Sequence, residues 1–332
     1  MKSNWRGVTL AAALPLLALT MATPAAADEA LGAGMTIYMQ MGGNPGDGAT
    51  LPRTNGARAA AKALGVGSLV EQYSGWLPEK MLDQFREALA AGPDCIVIMG
   101  HPGSDAFADL VADAEKQGIV VTSGNAPLTA LLKKYQAKGF GYAGVDLYAG
   151  GWLTGKSMVA AGLHKGDQAL VYGLLAQAER GLSTKGLKEA LEDSGVKVDY
   201  LEISPEVNSD ASLAVPILTS YIESHPDVKA IGTQHGNVTS FIPKALEAAG
   251  KKPGDVIVGG IDLVPATIDG LKDKYITVVL DQQLWLQGFL PVTQCVISKK
   301  YGFTGLAVNT GSGVVTPKTI NALVPLIDAG IR

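Results

Sequence analysis

Polar and ring-bearing side chains recur along this 332-residue chain at intervals of a few tens of residues: Asn44, Trp76, His101, Asn125, Asp146, Arg180, Asn208, His235, Asp262, then Asp281 with Gln282. Amides, carboxylates, imidazoles and a guanidinium supply directional donors and acceptors. A sugar or polyol hydroxyl both gives and takes a hydrogen bond, so a mixed set of this kind suits a polyhydroxylated ligand. The same residues are a poor basis for covalent chemistry. His101, in Gly-His-Pro-Gly, and His235 have no evident nucleophile beside them, and no G-x-S-x-G elbow occurs. No His/Asp/Glu cluster has metal-ligand spacing. The glycine-rich stretch 42–48 follows a strand and precedes a helix, as a phosphate cradle would. It lacks the G-x-G-x-x-G spacing and a Lys-Ser/Thr pair, and it carries Asp47. Neither an enzyme nor a cofactor is therefore expected. Each Asp or Asn taken alone is equally a helix cap; the binding reading rests on the series.

The elements that must position these residues alternate between two periodicities. A strand over 35–41 leads to an alanine-rich helix over 53–64 closed by Gly65. After a strand over 68–73, Pro78 opens a helix whose Met81, Leu82, Phe85, Ala88 and Leu89 form one apolar face. The run Cys95-Ile96-Val97-Ile98-Met99 reads as a strand buried on both sides, followed by a helix over 104–117 and a strand over 119–123. A second set begins near Asp146, with helices expected over 147–163, 183–193 and 212–223, the last tolerating Pro216 in its first turns. Its strands are expected over 169–175, 196–203, 228–233, 256–260 and 276–280, with a helix through 245–249. Such alternation implies parallel sheets covered on both faces. In open parallel sheets ligands sit beyond the carboxyl ends of the strands, and the polar series falls there.

The ends and the composition narrow the class. Lys2 and Arg6, an apolar run over 8–19 and Ala25-Ala26-Ala27 together read as a secretory signal over residues 1–27, with the mature chain beginning near Asp28. The apolar run is shorter than the roughly 20 residues that span a bilayer, so no membrane insertion is expected. What remains is too long for one small core and suits two domains. The 27 basic residues, less Lys2 and Arg6, are outnumbered by 31 acidic ones, which leaves no electrostatic footprint for nucleic acid. Cys95 and Cys295 read as two buried thiols, with a disulfide left open by the oxidising compartment.

Several ordered segments carry a family resemblance: Ala91-Gly-Pro-Asp-Cys-Ile-Val-Ile, Gly118-Ile119-Val120-Val121 before Asn125, His225-Pro226-Asp227-Val228-Lys229-Ala230-Ile231, Ala245-Leu246-Glu247-Ala248-Ala249-Gly250 and Val258-Gly259-Gly260-Ile261-Asp262. The chain resembles the type I periplasmic sugar-binding proteins, the ribose and galactose group, over essentially its whole mature length. That resemblance implies an α/β fold of two similar doubly wound parallel-sheet lobes joined by a three-segment hinge. The N-terminal lobe would take 28–146 plus 281–310 and the C-terminal lobe 147–280 plus 311–332. It also implies ligand contacts at Asn125, Arg180, His235, Asp262 and Asp281, with Gln282 adjacent. Asn44, Trp76, Asp146 and Asn208 join them as strand-end candidates. The family's stacking aromatic is missing from the first loop and from the surroundings of Asn208. Trp76 is the candidate substitute, and a linear polyol or small sugar is admitted alongside a hexopyranose. The implied partner is an ABC transporter permease meeting a monomer, with a chemoreceptor or sensor kinase as the alternative reader of the closed form. The helix-turn-helix that precedes this core in sugar-responsive repressors is replaced here by the signal segment.

Overall fold

The computed structural model describes residues 1, 2, 29–177 and 179–332. From residue 3 onward the expected export signal lies outside the described residues.

Two six-stranded sheets organise the chain. The first half supplies β1 (Thr36–Gly42), β2 (Ser68–Tyr73), β3 (Cys95–Met99), β4 (Val120–Asn125) and β5 (Gly141–Gly144), interleaved with α1 (Thr50–Leu64), α2 (Pro78–Ala91), α3 (Ser104–Lys116) and α4 (Thr129–Tyr135). The second set runs α5 (Leu147–Ala160), β6 (Gln168–Gly173), α6 (Gly181–Glu192), β7 (Lys197–Glu202), α7 (Pro205–Ser209), α8 (Ala214–Ser224), β8 (Val228–Gly232), α9 (Gly236–Ala248), β9 (Ile257–Ile261), α10 (Pro265–Lys272) and β10 (Val278–Asp281). The chain closes with α11 (Leu284–Tyr301), β11 (Ala307–Asn309), β12 (Gly313–Val315) and α12 (Ile320–Asp328). The strand orders are β11-β5-β4-β3-β1-β2 and β12-β10-β9-β8-β6-β7. Every pairing is parallel except that of β12 with β10. These are two doubly wound α/β lobes of matching topology. Each reverses its winding direction once, between β1 and β3 and between β6 and β8, and a crevice opens at such switch points.

Local chemistry sets the ends of these elements. All five residues of β3 are buried, as expected of a central strand covered on both faces. Gly65 ends α1 in the left-handed conformation (φ 65°), and Pro78 occupies the first turn of α2. The chain passes between sheets after Gly144, after Asp281 and between Asn309 and Gly313. Asp281, expected to open the return to the N-terminal lobe, is the last residue of β10 in the second sheet. The short elements α4, α7, β11 and β12 had no distinct signal in the sequence. In particular α7 and a single 3-10 turn over Ala211–Leu213 replace the start expected for a helix at 212.

Paired glycines bring one helix of each lobe unusually close to another. On α1 and α11, a Cβ at Gly56 would overlap the Trp285 carbonyl, and one at Gly288 would overlap the Arg53 carbonyl. On α5 and α6, Gly151 and Gly186 face the Ser183 and Tyr148 carbonyls in the same way. The backbones can touch only because these side chains are absent. Cys95 on β3 and Cys295 on α11 are joined in a disulfide, not free as the sequence suggested. Their Cα atoms lie 5.8 Å apart because α11 packs on the first sheet, a proximity hidden by a separation of 200 residues. A crosslink closing so long a loop restricts the unfolded chain and typically adds about 2–4 kcal/mol.

If the close helix approach carries the first lobe, Gly288→Ala should lower unfolding stability by about 1–3 kcal/mol through overpacking. Gly313→Ala, whose Cβ would meet nothing within 4 Å, should stay within about 0.5 kcal/mol of the parent. Urea denaturation of both variants checks this, and equal effects would remove the argument.

Candidate functional site

A cavity of about 820 Å³, its mouth to solvent included, lies between the carboxyl ends of the two sheets. One wall comes from the first lobe. Arg53, in the first turn of α1, is fully buried. Its Nη1 donates to the Met41 carbonyl at 2.8 Å and its Nη2 to Gln287 Oε1 at 3.3 Å, while its Nε is buried without a partner. Burial lowers its pKa to about 10 against the opposing pull of Asp262. The guanidinium lies 5.7 Å from the ring centroid of Trp76. Gly75 and Trp76 both take left-handed conformations after β2 (φ 60° and 64°), which turns the indole back against Gly42 and Gly43. A Cβ at Gly42 would overlap that ring. The bare first loop thus makes room for an aromatic arriving from the next strand.

Trp76 stacks on His101 with centroids 5.4 Å apart and planes 20° from parallel. His101 Nε2 meets Asn125 Oδ1 at 2.6 Å, and Asn125 Nδ2 donates to Gln287 Oε1 at 3.2 Å. With its amide nitrogen committed as donor, Asn125 accepts from the ring, which fixes His101 as the Nε2–H tautomer. Burial, reinforced by Arg180, lowers the His101 pKa to about 3.

The second lobe supplies the other wall. Arg180, preceding α6, makes only long hydrogen bonds from Nη1, to Gln177 Oε1 (3.3 Å) and Asn208 Oδ1 (3.4 Å). His235 caps α9: its Nδ1 accepts from the Val238 amide, and its Nε2 donates to Asn208 Oδ1 at 3.0 Å. That pattern needs a neutral ring, and burial beside Arg180 lowers the pKa to about 3. Gln234 is 8% exposed, lines the cavity, and has no partner on either amide atom. Asp262 follows β9 in a left-handed conformation (φ 73°) and accepts from Gln282 Nε2 at 2.7 Å. Burial raises its pKa to about 6, although Gln282, Arg53 and Arg180 pull the other way. Trp76, Asn125 and Asp262 all hold left-handed backbones at the lining, a conformation costly to non-glycine residues and concentrated at functional sites.

Among the sequence candidates, Trp76, Asn125, Arg180, Asn208, His235, Asp262 and Gln282 converge on this cavity. Asn44, Asp146 and Asp281 do not line it. Asn44 is exposed in the first loop, where its amide donates to Asp47 Oδ2. Asp146 caps α5 through the Ala149 amide, the alternative role open to it from the start. Asp281 pairs with Arg332 at 2.6 Å and accepts from the Gln283 amide. Arg53, Gln234 and Ser183 line the cavity without having been singled out, and His101 joins them from the strand-end series. The signal for Arg53 was its place in the first turn of a helix that follows a strand, since such turns face the crevice. No group of three or more His, Cys, Asp or Glu side chains among the described residues is placed to hold a metal.

The model of the periplasmic binding protein domain matches residues 50–297. The chain belongs to that family. Among curated proteins, this binding protein is 27% identical to a D-apiose import binding protein of Paraburkholderia graminis over 92% of each chain. It is 28% identical to a xylose/arabinose-binding protein of Sulfolobus acidocaldarius over 72% of its own length, spanning 61% of that protein. Solved structures share the fold. A carbohydrate transporter of Acidothermus cellulolyticus with myo-inositol has a TM-score of 0.73 at 19% identity, covering 90% of this chain and 99% of that one. A galactofuranose binding protein has a TM-score of 0.77 at 18% identity, covering 89% and 99%. The family is one of binding proteins rather than enzymes, and both cavity histidines are held against amides.

The raised pKa of Asp262 has a testable sign. Its folded-state value of about 6 exceeds that of an unfolded aspartate, so the native state binds the proton more tightly between roughly pH 4 and 6. This carboxylate is then a stability cost above pH 6 that fades as the pH falls through that window. The stability of Asp262→Asn minus that of the parent should rise by up to about 3 kcal/mol from pH 4 to pH 7. Urea denaturation across that range measures it, and a difference independent of pH would show that Asp262 is not buried as a charge.

Proposed function

We propose that this chain is the periplasmic solute-binding component of an ABC importer, a monomer that captures a small sugar or polyol by closing two lobes on it. In this reading residues 1–27 direct export. The lobes comprise 28–146 with 281–310 and 147–280 with 311–332, and the permease meets the closed form. The observation that carries the reading is the Gln234 carboxamide, buried at the cavity wall with neither donor nor acceptor matched. A buried amide left unpaired costs about 1–3 kcal/mol, which a ligand hydroxyl able to give and take would offset. The indole of Trp76 adds an apolar face beside this polar set, as sugar rings and polyol chains require. Likeness to binding proteins whose names specify xylose, arabinose and apiose supports the class of solute. Among the described residues no helix is long and apolar enough to cross a membrane.

Closure follows from differential contact. A solute that touches Asn125 on one wall and Gln234 or Asp262 on the other gains both sets only when the lobes meet, which shifts the population toward the closed form. Gly48 of the first lobe already lies against Val264 and Pro265 of the second. A thermal-shift screen against pentoses, hexoses and polyols should identify a solute that raises the melting temperature. For that solute, Gln234→Ala should weaken binding by about 1–2 kcal/mol with the fold unchanged. Parental affinity in this variant, or a screen without a single shift, would contradict the proposal.

A further inference from the structure

The charged side chains lining the cavity are Arg53, Arg180 and Asp262. His235 is neutral by hydrogen-bond geometry, since its Nε2 donates to Asn208 while its Nδ1 accepts from a backbone amide, and burial beside Arg180 keeps His101 neutral as its Nε2 donates to Asn125. Asp281, the next carboxylate toward the cavity, is already paired with Arg332. Glu179 precedes Arg180 in sequence but is in no ion pair with it, and Asp262 is the carboxylate that acts on that guanidinium. The site therefore carries one positive charge more than it balances, with Arg53 fully buried and Arg180 half-buried at the cavity wall.

The surplus has a location. Arg53 spends Nη1 and Nη2 on Met41 and Gln287. Arg180 spends only Nη1, in two bonds of 3.3 and 3.4 Å, and its Nε and Nη2 have no acceptor among the described residues. Those two groups form the edge of a guanidinium that matches a carboxylate in a bidentate pair. The adjoining amino ends of α6 and α9, with Ser183, Gly236 and Asn237 on the lining, add partial positive charge on the same side.

We propose that the solute is a singly charged sugar acid, an aldonate or uronate, whose carboxylate pairs with the free edge of Arg180 while its hydroxyls meet the amides. This rests on the reading of the cleft as a solute site and narrows its ligand class. One unit of surplus charge selects a carboxylate over a phosphate monoester, which brings nearly two negative charges at neutral pH.

The test is calorimetry on the full mature chain at pH 7.5 with matched pairs: D-xylose and D-xylonate, D-arabinose and D-arabinonate, D-glucose against D-gluconate and D-glucuronate, and D-arabinose 5-phosphate. At least one acid should bind about tenfold or more tighter than its neutral parent, the scale of a charge-assisted hydrogen bond. Arg180→Gln should abolish the acid's advantage over its parent sugar, read as the ratio of their two affinities within the variant. Asp262→Asn, a second variant that leaves Arg180 in place, should widen the preference for the acid. Neutral sugars binding as tightly as their acids in every pair would overturn the inference and leave the sugar-binding reading standing. Tighter binding of the phosphate would overturn the choice of anion. Absence of binding by every member would overturn both.

Discussion

The carboxamide of Gln287 is fully buried where the first lobe's wall meets the crossovers, and each of its atoms is matched. Its Oε1 accepts from Arg53 and Asn125, and its Nε2 donates to Gln282 and to Thr310. A buried amide can be satisfied this fully only if all of those groups are held in register at once. Two wall residues of the first lobe, the crossover after β10 and the segment after β11 are therefore tied to one side chain on α11. Gln287 in turn is placed by Gly288, which lets α11 press onto α1. From that contact follow the burial of Arg53, its position beside Trp76, and the stack of Trp76 on His101.

The two lobes are built alike, and the likeness explains a rigid cleft on a bending frame. Each has a hydrogen-bonded parallel sheet, a glycine-mediated helix pair and its own apolar cores, so each resists internal deformation. Between them run three crossings, cross-linked by Asn309 to the Asp146 and Gly311 amides and by Gln283 to the Thr310 carbonyl. A few residues at such crossings can absorb a rotation that the sheets cannot, which is the structural requirement of hinge closure. The disulfide stiffens the first lobe without crossing the hinge, because β3 and α11 pack in the same lobe.

Much of this was legible because a strand that ends on a polar residue shows both periodicity and chemistry in a few letters. Cys95–Met99 and residues 256–260 read as strands, within a residue of the observed β3 and β9, and His101 and Asp262 therefore read as strand ends. Arg53 was not legible. In an alanine-rich helix it resembles a solvated residue, and what buries it includes a partner 234 residues away. Gln234 hid beside His235, the more conspicuous side chain. Asp146 and Asp281 show the opposite failure: a carboxylate after a strand has the same signature whether it meets a ligand, caps a helix or pairs with the distant Arg332. The left-handed backbones at Trp76, Asn125 and Asp262 have no local sequence signal, since tertiary contacts impose them.

On this reading of the cleft, the two walls hold one solute jointly. A crystal structure with the tightest-binding member of a sugar, sugar-acid and polyol series tests it most directly. That structure should hold an intact solute hydrogen-bonded to Asn125 on one side and to Gln234 or Asp262 on the other, with Trp76 against its carbon face. A solute lodged on one lobe alone, bound outside the crevice, or recovered with a bond cleaved would contradict it.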